Sequence, residues 1–142
     1  MTVADRPPFH LAVTAADLEA ARAFYGGVLG CPEGRSAADW IDFDFFGHQL
    51  VCHRGADEVV PRARPVDGHA VPVPHFGVVL ELEPWERLRA RLAAANVAFA
   101  VAPHMRFVGT PGEQATFFVR DPAGHALEFK AFRDVPGRLF AR

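Results

Sequence analysis

The sequence predicts an α+β fold of two tandem β-α-β-β-β modules, a curved mixed sheet with helices outside and a concave polar face inside. Three observations predict it. The turn Asp44-Phe45-Phe46-Gly47-His48-Gln49-Leu50 recurs as Asp121-Pro122-Ala123-Gly124-His125-Ala126-Leu127, with Asp, Gly, His and Leu in the same places. Upstream, Phe9-His10-Leu11-Ala12-Val13 has a counterpart in Pro74-His75-Phe76-Gly77-Val78. Each upstream stretch is followed by a helical pattern and each turn by another strand, so both matches keep the same order, as duplication requires.

Module one covers about residues 8–54, a linker about 55–72 and module two about 73–133, all in one domain spanning 1–142. Phe9 to Val13 alternates as a strand, with Phe9, Leu11 and Val13 on one face and His10 and Ala12 on the other. Thr14 with Asp17 forms a capping box for the next helix, whose stripe is Leu18, Ala21, Tyr25 and Val28. Gly26-Gly27 and Gly30 weaken its end. A faintly marked strand lies around Pro32 to Ala37. Trp40 to Phe45 alternates, Gly47 turns the chain, and Gln49 to His53 is the next strand. Arg54 to Pro74, rich in Pro, Gly and charge, reads as a connection. His75 to Leu82 opens module two as a strand. Pro84 suits the first turn of a helix with Trp85, Leu88, Leu92 and Ala95 on its apolar stripe. Val97 to Val101, Ala115 to Val119 and Leu127 to Phe132 are the remaining strands, with Pro103 to Gln114 as an extra loop.

Half of the 142 residues are hydrophobic, enough for one globular unit with a real core. A net charge of −2 and scattered arginines argue against a nucleic-acid or membrane partner. Cys31 and Cys52 fit neither a zinc knuckle nor a disulfide framework and read as reduced, buried residues of a cytoplasmic protein. No signal peptide or membrane-length apolar run is visible.

The chemistry concentrates in His10, His75 and Glu128, ionisable residues inside strand-like apolar stretches, where burial without a partner is costly. With Leu127 and Phe129 facing the helix, alternation turns Glu128 to the concave face, as it does His10 and His75. Two imidazoles and one carboxylate are the ligand set of the facial triad, which leaves metal positions open. The repeat equates Glu128 with Val51, so three protein ligands are expected and no fourth. His53 shares the phase of Val51 and is a candidate acid/base, and His104 in the extra loop is another. Arg106, in the same loop, and Gln49 are candidates for substrate contact. His48 and His125 occupy turns and read as structural, Tyr25 as core, and His69 receives no role.

The strand Phe9 to Val13, the helix end Ala23-Phe24-Tyr25-Gly26-Gly27-Val28-Leu29-Gly30, the strand His75-Phe76-Gly77-Val78-Val79 and the segment Asp121 to Phe129 resemble the vicinal oxygen chelate superfamily. That superfamily comprises glyoxalases, fosfomycin-resistance proteins, bleomycin-binding proteins and extradiol dioxygenases. The resemblance covers nearly the whole chain and is strongest to the small, single-chain, extradiol-dioxygenase-like branch. It implies metal ligands at His10, His75 and Glu128, two modules paired in a cup-shaped barrel, and a homodimer. Glyoxalase-type members often carry a further carboxylate where this chain has Val51, and bleomycin-binding members lack the triad this chain retains. The expectation is a divalent-metal enzyme, with Fe(II) first and Mn, Ni, Co or Zn as alternatives. It is expected to be a dioxygenase cleaving a small aromatic or enolic vicinal diol. The alternatives are a glyoxalase-type isomerase or lyase, or a non-catalytic small-molecule binding protein.

Overall fold

A computed structural model of the protein describes residues 5–55 and 61–142, and the chain divides into two units, Met1–Glu58 and Val59–Arg142. The first unit runs β1 (His10–Ala15), α1 (Leu18–Ala21) continuing as a π-helix over Arg22–Val28, β2 (Glu33–Ala37), β3 (Trp40–Phe45) and β4 (His48–Arg54). Its sheet has the order β1-β4-β3-β2, with β1 parallel to β4 and the other pairs antiparallel. Asp17 is itself the helix cap, its carboxylate accepting from the Glu19 and Ala20 amides, so the expected Thr14 capping box is replaced by a single-residue cap. Leu18, Ala21, Phe24 and Tyr25 are buried with Ile41, Phe43, Leu50 and Cys52. The Tyr25 ring centroid lies 5.5 Å from that of Phe43, which makes it core. Val28 is only half-buried, because the wider π turn, with Leu29 N–H donating to Phe24 O, puts Leu29 in its place. Phe9, read on the same strand face as Leu11 and Val13, is 64 % exposed.

The second unit runs β5 (Arg62–Val66), β6 (His69–Val73), β7 (Phe76–Glu81), α2 (Leu82–Ala94), β8 (Phe99–Arg106), β9 (Gln114–Arg120), β10 (Ala126–Phe132) and α3 (Val135–Arg138). Its main sheet repeats the first one's order as β7-β10-β9-β8, again with the outer pair parallel. The register repeats too: Leu11 pairs with Leu50 in β1/β4, and Phe76 with Leu127 in β7/β10. Both turns use Gly in the left-handed region, Gly47 at φ 86° and Gly124 at φ 97°, conformations that suit Gly. Both are tied by the leading Asp, with Asp44 accepting from Gly47 N–H and Asp121 from Ala123 and His125 N–H.

Four expectations change in this unit. His75 stands just before β7 rather than within it. β8 extends to Arg106, so only residues 107–113 remain of the expected loop, and His104 and Arg106 sit on a strand. The segment read as a connection holds the antiparallel β5–β6 hairpin. Ala95 is exposed, since α2 ends at Ala94 and Asn96 turns the chain at φ 58°. Trp85, Leu88 and Leu92 of α2 are buried with Phe117, Leu127 and Phe129, and Trp85 Nε1–H donates to Phe129 O at 2.8 Å. Strand alternation turns Glu128, Lys130, Thr116, His104, Arg106 and Gln114 to the other face. The hairpin touches that face: Val71 clusters with Val101 and Phe118, and the His69 ring stacks on His104 at 3.9 Å.

Candidate metal centre

Glu128 comes from the middle of an apolar strand, between Leu127 and Phe129, and is only 4 % exposed. A carboxylate taken this far from water stays ionised only if its oxygens are answered. Thr116 Oγ1–H donates to Oε2 at 2.6 Å, and His75 Nε2 stands 3.2 Å from Oε1. Lys130 Nζ lies 3.7 Å from Oε1 and Arg106 Nη1 4.0 Å from Oε2. Burial pushes the Glu128 carboxyl up, but the hydrogen bonds from His75 and Thr116 and the Lys130 charge outweigh it and hold it below the usual carboxylate range. Gly77 is the register partner of Glu128, and a Cβ there would collide with the Glu128 carbonyl. Only glycine lets β7 lie this close.

His75 is held by the hairpin. Its Nδ1 lies 2.6 Å from the Pro72 carbonyl, which can only accept, so Nδ1 carries the hydrogen and Nε2 is the free nitrogen. In a neutral ring that nitrogen would turn a lone pair toward a carboxylate oxygen. The arrangement therefore asks for a cation between them, a proton or a metal ion. In the bare protein a proton serves: the hydrogen bond to Glu128, opposed by burial and aided by Pro72, raises the His75 pKa. The donor set also fits a metal. Two cis ligands each about 2.1 Å from one ion stand roughly 3 Å apart, close to the 3.2 Å found.

In the first unit, alternation puts His10, Ala12 and Thr14 on the less buried face of β1. His10 and Gln49 are register partners, and His53 is paired with Thr14 farther along the same face. All three are exposed, whereas Val51 between Gln49 and His53 is buried. Gln49 Nε2–H donates to Asp42 Oδ2 at 3.4 Å, and His48 Nδ1 accepts from Phe9 N–H at 2.8 Å, a structural bond. Among the described residues no group of three or more His, Cys, Asp or Glu is gathered to hold a metal. The pair that the second unit assembles by itself is His75–Glu128.

The remaining candidates surround that pair. Arg106 is buried, 3.8 Å from Asp67 Oδ2 of the hairpin, and His104 is half-buried with Nδ1 2.8 Å from Ala102 O. Sequence reasoning missed Thr116, Lys130, Gln114, Asp67 and His69. Lys130 was findable, two residues from Glu128 on the same strand face, and so was Thr116, the one polar residue between Ala115 and Val119. Two cavities of this unit measure about 420 and 440 Å³. One is lined by Trp85, Arg89, Met105, His104 and Gln114, the other by residues 109–111 and Arg138. Neither is lined by His75 or Glu128, so the chemistry of the pair decides the site. Among the described residues no helix is long and apolar enough to cross a membrane.

A family model described as the Glyoxalase/Bleomycin resistance protein/Dioxygenase superfamily matches residues 8–129. A crystal structure of a glyoxalase/bleomycin resistance protein/dioxygenase from Alicyclobacillus acidocaldarius is similar at 35 % identity and TM-score 0.73, covering 92 % of this chain and 94 % of that one. The fosfomycin resistance protein FosX from Listeria monocytogenes shares the fold at 18 % identity and TM-score 0.70, over 94 % of this chain and 98 % of that one. Lactoylglutathione lyase from Agrobacterium tumefaciens shares it at 20 % identity and TM-score 0.63, over 96 % of this chain and all of that one (100 %). No curated protein matches the sequence.

Proposed function

The chain belongs to the Glyoxalase/Bleomycin resistance protein/Dioxygenase superfamily, and from that premise we propose a divalent-metal-dependent dioxygenase that cleaves a small aromatic or enolic vicinal diol. The superfamily includes metal-dependent enzymes that act on small molecules. The ligands proposed are His10, His75 and Glu128, with Fe(II) as the metal. The observation that carries the reading is the His75–Glu128 pair: a buried carboxylate facing an imidazole nitrogen whose other nitrogen is already committed to Pro72.

Iron held there supplies Lewis-acid polarisation of two adjacent substrate oxygens and the electrons for dioxygen chemistry. The chain's own residues do the rest. Pro72 O fixes the His75 tautomer, so Nε2 alone faces the site. Thr116 occupies Glu128 Oε2 and leaves Oε1 toward His75. The hydrogen bonds from His75 and Thr116, helped by the Lys130 charge, keep the carboxyl ionised against its burial. His53, on the face that carries His10, is the proposed acid/base for the substrate hydroxyl, and Gln49 beside His10 a contact to substrate. A homodimer working in the cytoplasm completes the proposal.

A second reading keeps the ligands but makes the reaction a glyoxalase-type isomerisation or elimination with Mn, Ni, Co or Zn. Val51 weighs against a four-ligand version, since a buried valine stands where a further carboxylate would be. The test is metal content after anaerobic purification, with His10→Ala, His75→Ala and Glu128→Gln alongside. The expected result is about one divalent metal per chain in the parent, lost in each variant, and oxygen uptake with a catechol after Fe(II) loading. Metal bound without oxygen uptake would favour the isomerase or lyase. Unchanged metal content in all three variants would rule out the ligand set.

A further inference from the structure

Beside Glu128 lie side-chain atoms that the fold buries and leaves unanswered. Among the described residues, the buried side-chain atoms without a hydrogen-bond partner are His104 Nε2, Arg106 Nε and Gln114 Oε1. They share one patch of sheet. Arg106 and Gln114 are direct register partners across β8 and β9, and His104 pairs with Thr116 two residues along. Opposite residues of an antiparallel pair have Cβ atoms about 5 Å apart, on the same face. Thr116 donates to Glu128 Oε2 and Arg106 Nη1 lies 4.0 Å from that oxygen, so the patch adjoins the carboxylate.

Each orphan has a defined polarity. Gln114 Nε2–H donates to Gly112 O at 3.1 Å, which fixes the amide and leaves Oε1 as an acceptor. His104 Nδ1 faces the Ala102 carbonyl and must carry the hydrogen, which in a neutral ring makes Nε2 an acceptor too. Arg106 Nε–H is a donor on a cation whose residue is only 8 % exposed, as is Gln114. Its nearest carboxylates, Asp67 at 3.8 Å and Glu128 at 4.0 Å, are beyond hydrogen-bond reach. With Glu128 committed to a metal, the counter-charge left to that guanidinium among the described residues is half-exposed Asp67. A buried donor or acceptor left unmade is costly, and more so when charged, so three together on one face call for an occupant.

We propose that Arg106, His104 and Gln114 form a subsite for a hydroxy-carboxylate end of the substrate. The carboxylate accepts from Arg106 Nε–H, and the neighbouring hydroxyl donates to His104 Nε2 or Gln114 Oε1. A bare carboxylate leaves both acceptors unmet, and a neutral diol brings no charge to a guanidinium whose other neighbours are Asp67 at 3.8 Å and the Phe107 ring at 4.8 Å. The assignment to substrate rests on the reading of Glu128 as a metal ligand, and it narrows the substrate class from vicinal diols in general to acidic ones. His69, stacked on His104, and Asp67 beside Arg106 place the hairpin over the subsite.

The test is an NMR titration of the full chain, metal-free and Zn(II)-loaded, that follows the Arg106 Nε–H resonance, identified by its loss in Arg106→Lys. Glycolate is expected to shift it, acetate to do so more weakly and neutral glycolamide not at all. Glycolate affinity is expected to fall about tenfold in Arg106→Lys and in Gln114→Leu, the loss of one charge-assisted or buried hydrogen bond, with zinc stoichiometry unchanged. No shift with glycolate, or an equal response to glycolamide, overturns the proposal and leaves an ordered water as the occupant. Zinc binding with no glycolate response sinks the subsite alone. A glycolate response in a chain that binds no metal upholds the subsite as an anion site and removes the metal reading.

Discussion

Glu128 and His75 show how one pair of residues sets both stability and readiness for a cation. His75 holds its proton more tightly folded than unfolded, so its contribution is complete below the unfolded imidazole pKa, about 6.5, and is lost as pH rises through its raised folded value. Glu128 behaves oppositely. Its contribution is complete above the unfolded carboxylate pKa, about 4.3, and is lost as pH falls through its depressed folded value. The metal-free protein is therefore expected to resist urea best between those values, with its midpoint falling on either side. In His75→Gln the alkaline fall should disappear while the acid one remains. An unchanged alkaline limb in that variant would remove the pair from the account. The His75–Glu128 pair was legible because a carboxylate and an imidazole are anomalous in apolar stretches. The supporting Thr116 and Pro72 carbonyl were not, since a hydroxyl on a strand or a backbone oxygen carries no anomaly until its partner is in view.

At the scale of elements, β7 and β10 are held as close as they are by the absence of a side chain at Gly77. Gly77→Ala drives a Cβ into the backbone of the neighbouring strand, which has no room to yield. The expected cost is at least about 2–4 kcal/mol, in the range of severe overpacking and backbone strain, read as a lowered urea midpoint. Metal affinity should fall with it, because the displaced backbone carries Glu128. Stability within about 0.5 kcal/mol of the parent would show that the strands can part at no cost. The β5–β6 hairpin was the element least legible in advance. Pro65 and Pro72 within its strands and its many charges mimic a linker, although Asp67-Gly68, with φ of 50° and 77°, is a hairpin turn that composition alone disguises. β8 was read short for a related reason: Pro103 and the polar residues after it suggested a loop, while pairing with β9 at the sheet edge carried the strand on to Arg106.

For the whole molecule, the duplication foreseen in two short matches holds down to strand register, since the turn and the strand it feeds are copied together. The copies are not equally loaded. Asp121 is buried and accepts from two amides, Ala123 and His125, whereas Asp44 is exposed and accepts from Gly47. Asp121→Ala is thus expected to cost about 1–3 kcal/mol and Asp44→Ala less than about 1, compared by denaturation midpoints. Equal losses would mean that the two turns do the same work. Strand alternation and helical stripes made the modules readable; the π-helical stretch escaped because one extra residue per turn moves the apolar stripe from Val28 to Leu29. The shared register has a genetic corollary. Val51 and Glu128 are one place in two copies, and valine and glutamate codons can differ by a single base. A lineage can therefore gain or shed a carboxylate at this place through one point mutation, with no insertion, deletion or new turn, and explore different metal chemistry on an unchanged backbone.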